Sequence, residues 1–94
     1  MERKKLSAEE IENQLKGLKN WTVEGVNLKK RFEFKKFVEA LDFVNRVGEI
    51  AERRDHHPDI SFGWGYAEFS ITTHDRGGLT DFDFALAKEI DKLE

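Results

Sequence analysis

The sequence predicts an α+β fold, with a four-stranded antiparallel sheet and helices packed on one face, in the order helix, two strands, helix, two strands, helix. Three observations predict it. Residues 28–35 and 67–74 alternate between a mainly apolar and a polar parity, Lys30 and Thr73 being the polar members of the first, as strands with one wet face do. Three other stretches repeat apolar residues at helical spacing, and the longest lies between the two strand regions. Glycine turns precede the alternating runs, so the strands come as hairpins rather than as single strands joined by crossovers.

Ser7 and Glu10 have capping-box spacing, in which hydroxyl and carboxylate satisfy N–H groups that the first turn leaves free. They open a helix over about residues 8–18, with Ile11, Leu15 and Leu18 as its stripe and Gly17 weakening its end. Residues 21–23 form a short strand, and Glu24-Gly25 turns the chain into the next. There Leu28, Lys30, Phe32 and Phe34 share one face, opposite Lys29, Arg31, Glu33 and Lys35. The main core helix spans about residues 37–54. Its expected buried face is Phe37, Ala40, Leu41, Val44, Val47, Gly48 and Ala51, and its solvent face Glu39, Asp42, Arg46, Glu49 and Arg53. Pro58 cannot continue this helix and forces His57 into extended backbone. A strand over residues 60–64, a turn at Gly65-Tyr66 and a strand ending in His74 follow. Thr80 and Asp83 repeat the capping-box spacing ahead of a helix over about residues 81–93, which buries Phe82, Leu86, Ile90 and Leu93.

At 94 residues the chain is expected to be one domain, 1–94. Sixteen basic against 19 acidic residues give a charge of −3, and the only basic run, Arg3-Lys4-Lys5, sits at an end expected to be loose. Nucleic acid is therefore not an expected partner. There is no cysteine, which excludes disulfides and thiolate zinc sites. Residues 1–5 lead into a charged helix rather than an apolar leader, and no stretch approaches the roughly 18 apolar residues of a membrane span. A soluble cytoplasmic protein with no membrane partner is expected.

The chemistry concentrates at Asp55-His56-His57-Pro58, where the long helix breaks. An imidazole gives or takes a proton near neutral pH, so a histidine pair at a structural break suits acid–base work, although a polar helix exit explains it equally well. Glu52 lies four residues before His56, in position to orient its ring if the helix persists, and is otherwise an ordinary surface residue. His74 ends its strand, beside a cleft or merely at the surface. Asp83 is a helix cap that a rigid functional role does not exclude. Three histidines with one or two carboxylates also suit zinc or iron, but adjacent residues in extended backbone point opposite ways, which disfavours joint ligation by His56 and His57.

Glu52-x-x-x-His56-His57-Pro58, with Trp64, His74 and Asp83 at their spacings, resembles the signature of the pterin-4a-carbinolamine dehydratase family. Trp21, the Phe32-Glu33-Phe34-Lys35-Lys36-Phe37 run and Gly78-Leu79-Thr80 extend the resemblance from Trp21 to the C-terminus. Ile60, where relatives often carry an aromatic residue, and the glycine-rich Gly63-Trp64-Gly65 segment depart from it, at the rim of the pocket. The resemblance implies a hydro-lyase of tetrahydrobiopterin recycling that converts 4a-hydroxytetrahydropterin to quinonoid dihydropterin and water, with no cofactor or metal. It implies His56, His57 and His74 as catalytic histidines, with Glu52 and Asp83 in supporting positions. Within that set, His56 and His74 are expected to transfer protons and His57 to bind and orient. Glu52 is expected to polarise His56, and Asp83 to fix His74 or the pterin. A homodimer or homotetramer is expected. The resemblance also implies rivals: a dimerisation cofactor of a transcription factor, which animal members provide through the long helix, or a role in molybdenum-pterin metabolism. The charged outer face of the long helix argues against the first.

Overall fold

The structure, a computed structural model, describes residues 3–94; Met1 and Glu2, where the leader reading begins, lie outside the described residues. The element order is α1 (Ala8–Leu15), β1 (Thr22–Glu24), β2 (Asn27–Glu33), α2 (Phe37–Arg54), β3 (Asp59–Gly63), β4 (Tyr66–Ile71), a 3-10 turn (His74–Arg76) and α3 (Asp81–Asp91). The strands form one antiparallel sheet in the order β1-β2-β4-β3, as the alternation requires. β2 and β4 are central, with Leu28 opposite Ile71, Lys30 opposite Phe69 and Phe32 opposite Ala67. Leu28, Phe32, Ala67, Phe69 and Ile71 are buried against the helices. Phe32, Phe43 and Phe69 join sheet to α2, with ring centroids 4.8 to 5.9 Å apart.

Lys30 shares that apolar face because a carboxylate is waiting for it. Its Nζ lies 2.9 Å from Asp91 Oδ1, which also accepts Trp21 Nε1–H at 3.0 Å, and 4.5 Å from the Phe32 ring centre. The pair ties the end of α3 to the sheet, and a buried ammonium without it would be costly.

Several expected boundaries and faces differ. α1 ends at Leu15, because Gly17 and Leu18 N–H groups tighten onto Gln14 and Leu15 carbonyls; Leu18 still packs on the core. The second hairpin turns at Trp64-Gly65, where Gly65 adopts φ 84°, a conformation glycine takes freely. β4 stops at Ile71, so His74 lies in the 3-10 turn and not on a strand. The face of α2 is rotated from the expected one. Phe43 and Ile50 are buried, while Phe37, Val38 and Leu41 are exposed. On α3, Phe84 is fully buried and Phe82 only partly. The segment at Arg3-Lys4-Lys5 is tied down rather than loose, since Leu6 is buried and its N–H donates to Leu79 O at 2.8 Å. No helix among the described residues is long and apolar enough to cross a membrane.

The end of α2 carries the most consequential local geometry. Asp55 adopts left-handed φ 51°, ψ 43°; its N–H donates to Glu52 O, and the His56 N–H reaches back to Ala51 O at 3.1 Å. This double closure satisfies carbonyls that the last turn leaves free and reverses the chain at once. A side chain at left-handed φ is mildly unfavourable, least so for Asp and Asn. Asp55→Gly is therefore expected to raise stability by about 0.5–1 kcal/mol in urea denaturation.

Candidate functional site

The reversal at Asp55 separates the two histidines. His56 turns inward and is 7% exposed, whereas His57, held extended by Pro58, remains exposed. His56 Nε2 lies 2.6 Å from Oδ1 of Asp83, which is fully buried in the first turn of α3. The other carboxylate oxygen, Oδ2, accepts the Thr80 N–H at 2.8 Å and the Thr73 hydroxyl at 2.8 Å. Asp83 is thus the helix cap that its spacing predicts and the partner of His56 together, because each oxygen serves one purpose.

Two donors on Oδ2 make the carboxylate an acceptor. Facing that carboxylate, His56 Nε2 carries the ring hydrogen of a neutral imidazole, and Nδ1 is the bare nitrogen. The Phe82 ring lies beside His56, 6.1 Å between centroids, and supplies an apolar flank.

His57 Nε2 lies 2.5 Å from Glu52 Oε2, both groups being largely exposed. Glu52 therefore pairs with His57 and not with His56 as expected, and Asp83, expected to fix His74 or the pterin, pairs with His56. Both exchanges follow from Asp55: a helix continued through His56 would stack Glu52 on it, but the left-handed residue swings His56 into the core and leaves His57 above Glu52. His74 is exposed and directly follows Thr73, so its backbone starts one residue from a group bonded to Asp83. Among the described residues, no set of three His, Asp or Glu side chains converges as metal ligands would.

The arms of the site are braced. Arg54, the last residue of α2, donates from Nη2 to Glu89 Oε1 of α3 at 2.8 Å. That hydrogen bond, with the guanidinium charge, holds the Glu89 carboxyl below the usual carboxylate range. A depressed folded-state value contributes stability at pH above the unfolded carboxylate range, which is lost as pH falls through the folded value. Glu89→Gln is accordingly expected to cost about 0.2–1 kcal/mol at pH 7 and progressively less as pH falls below the unfolded carboxylate range, the partners being one-third exposed. Urea denaturation of both proteins over a pH series reads it.

Sequence reasoning missed Thr73, Thr80 as a partner of Thr73, and the role of Asp55. Thr80 was visible as a cap, but a hydroxyl contributed by a strand end leaves no periodic trace.

A buried Asp–His pair thus lies at a helix exit on an α+β scaffold, and the next residue in the chain forms a second, exposed His–carboxylate pair. Residues 4–93 match the profile of the Pterin 4 alpha carbinolamine dehydratase family, and the chain belongs to that family. A protein of Rubrobacter xylanophilus with the provisional name pterin-4-alpha-carbinolamine dehydratase is 51% identical over 89 residues, covering 94% of this chain and 83% of its own. One of Metallosphaera sedula, with the same provisional name, is 43% identical over 90 residues, covering 96% and 94%. Among solved structures, a transcriptional coactivator/pterin dehydratase from Brucella melitensis superposes with TM-score 0.90 at 27% identity, over 95% of this chain and 97% of that one. A pterin dehydratase-like protein identified as a RuBisCO assembly factor in the alpha-carboxysome shares the fold, with TM-score 0.65 at 24% identity over 78% and 84% of the two chains.

Proposed function

We propose that this chain is a 4a-hydroxytetrahydrobiopterin dehydratase, a cytoplasmic hydro-lyase of tetrahydrobiopterin recycling that uses histidine acid–base catalysis. The buried His56–Asp83 pair is the observation that carries the reading. Expulsion of the 4a-hydroxyl needs a proton delivered to its oxygen, and closure of the C4a=N5 double bond needs the N5 proton removed. The two transfers balance, so water and quinonoid dihydropterin leave with no net change in protons. His56, with Nε2 held by Asp83 and Nδ1 free, performs one transfer, and His74 performs the other. His57, oriented by Glu52, binds the pterin. A positioned acid or base contributes about 10²- to 10⁴-fold each.

The test is carbinolamine dehydration followed by absorbance, with the carbinolamine generated in place. Purified protein is expected to exceed the uncatalysed rate several hundredfold or more. A rate equal to the uncatalysed one sinks the reading.

A protein-binding role is supported by a specific feature, the exposed Phe37, Val38 and Leu41 on α2. Phe37 also stacks on Phe62 of β3, 5.7 Å between centroids, and β3 is an edge strand. An apolar strip beside an unpaired edge is what a second copy of the chain covers. A homodimer or homotetramer is accordingly expected in sedimentation at micromolar concentration, and Leu41→Glu is expected to lower its mass. A wild-type monomer would contradict this.

A further inference from the structure

We propose that the Thr80 and Thr73 hydroxyls form a positioning relay that acts through Asp83 to fix the tautomer and aim of His56. Its kinetic part rests on the dehydratase reading above; its structural part does not.

The relay is read from the order of hydrogens. Thr73, Thr80 and Asp83 are 2%, 0% and 0% exposed, so protein atoms must satisfy each polar group. A threonine hydroxyl has one hydrogen to give and lone pairs to receive. A carboxylate has none to give, so Thr73 spends its hydrogen on Asp83 Oδ2, 2.8 Å away. The 2.9 Å contact between the two hydroxyls then takes its hydrogen from Thr80. Thr80 Oγ1 in turn accepts the Phe82 N–H at 3.2 Å. The hydrogens therefore run one way, from the Phe82 amide through Thr80 and Thr73 into Oδ2. Bonds aligned in one sense polarise each other.

Helix capping does not account for Thr73. The cap of α3 is complete with Thr80 Oγ1 on the Phe82 N–H and Asp83 Oδ2 on the Thr80 N–H. Thr73 belongs to another segment, bridged to Gly78 where β4 has ended. Its hydroxyl adds the second donor on Oδ2. A carboxylate turns about one bond, and two donors from different segments fix the angle at which it stands. Oδ1 is thereby left aimed at Nε2, 2.6 Å away. Since Thr73 precedes His74, the same hydroxyl ties the His74 turn to the His56 partner.

Thr73→Val keeps shape and removes the hydroxyl. In the whole protein with ¹⁵N-labelled histidine, wild-type His56 is expected to show one tautomer, protonated at Nε2. The variant is expected to show a second tautomer and a kcat about 10-fold lower, with KM within about 2-fold, as expected of a group holding a functional side chain in place. Thr73→Ser is expected to restore both. If Thr73→Val fails to fold, Thr80→Ala carries the test, because it breaks the hydroxyl order while leaving Thr73 and Asp83; a second His56 tautomer and a kcat about 3-fold lower are expected. A folded variant with the single wild-type tautomer and unchanged kcat overturns the relay. Wild-type protein without dehydration activity defeats the dehydratase reading instead, and the tautomer signals still decide the relay.

Discussion

Replacing His56 by alanine is expected to lower kcat by about 10²- to 10⁴-fold, the range of a positioned acid–base group. The loss is expected in kcat more than in KM, because a proton in flight exists only in the transition state. The imidazole is also structural, since it satisfies Oδ1 of a fully buried carboxylate. Its removal is therefore expected to cost about 1–3 kcal/mol of stability, measurable in urea, and activity is compared well below the melting transition. His57→Ala is the matched control. His57 is exposed and bonded to an exposed Glu52, so stability is expected to stay within about 0.5 kcal/mol, with the kinetic loss mainly in KM. Equal kcat in wild type and His56→Ala would remove His56 from the chemistry.

Asp83→Asn is expected to produce the second large effect by reversing the sense of one hydrogen bond. The amide can accept on only one side. If its oxygen stays toward Thr73 and Thr80, its NH₂ faces His56 Nε2 and obliges that nitrogen to accept, so the hydrogen moves to Nδ1. The nitrogen available for proton exchange then becomes the wrong one. A kcat loss of about 10²- to 10⁴-fold is expected with a stability cost of only about 1–2 kcal/mol. Asp83→Ala, which strands three donors in the core, is expected to cost about 3–5 kcal/mol. Kinetics and urea denaturation on the two variants together separate the tautomer from the fold: Asp83→Asn with wild-type kcat would show that the tautomer is irrelevant.

Periodicity made much of this legible, because sheet and helices each bury one face. The alternation over residues 28–35 found β2, which runs from Asn27 to Glu33, and the 3.6-residue repeat placed α2 from Phe37 to Arg54. Periodicity served less well where one residue changes the direction of the chain. Glu52 and His56 have ideal helical spacing, yet left-handed Asp55 gives Glu52 to His57. The His56–Asp83 bond spans 27 residues and depends on how α2 and α3 pack, which spacing does not encode. His74 continued the alternation of β4, but the Thr73–Gly78 bridge and the 3-10 turn end that strand earlier. The turn of α2 that exposes Phe37 and Leu41 came from Phe43, whose ring packs on Phe32 and fixes the helix about its axis. The charged outer face had argued against a protein-binding helix, and the exposed Val38 and Leu41 remove that argument.

Histidine acid–base chemistry requires the pterin to bind beside His56 and His74. A competing concavity of about 370 Å³ lies on the open face of the sheet, lined in part by Lys29, Arg31, Glu68 and Ser70. Titrating a stable 7,8-dihydropterin into ¹⁵N-labelled protein separates the two places in one measurement. Saturable shifts are expected at His56, His57, His74 and the first turn of α3. Shifts confined to Lys29, Arg31 and Ser70, with the histidines unmoved, would contradict the histidine chemistry.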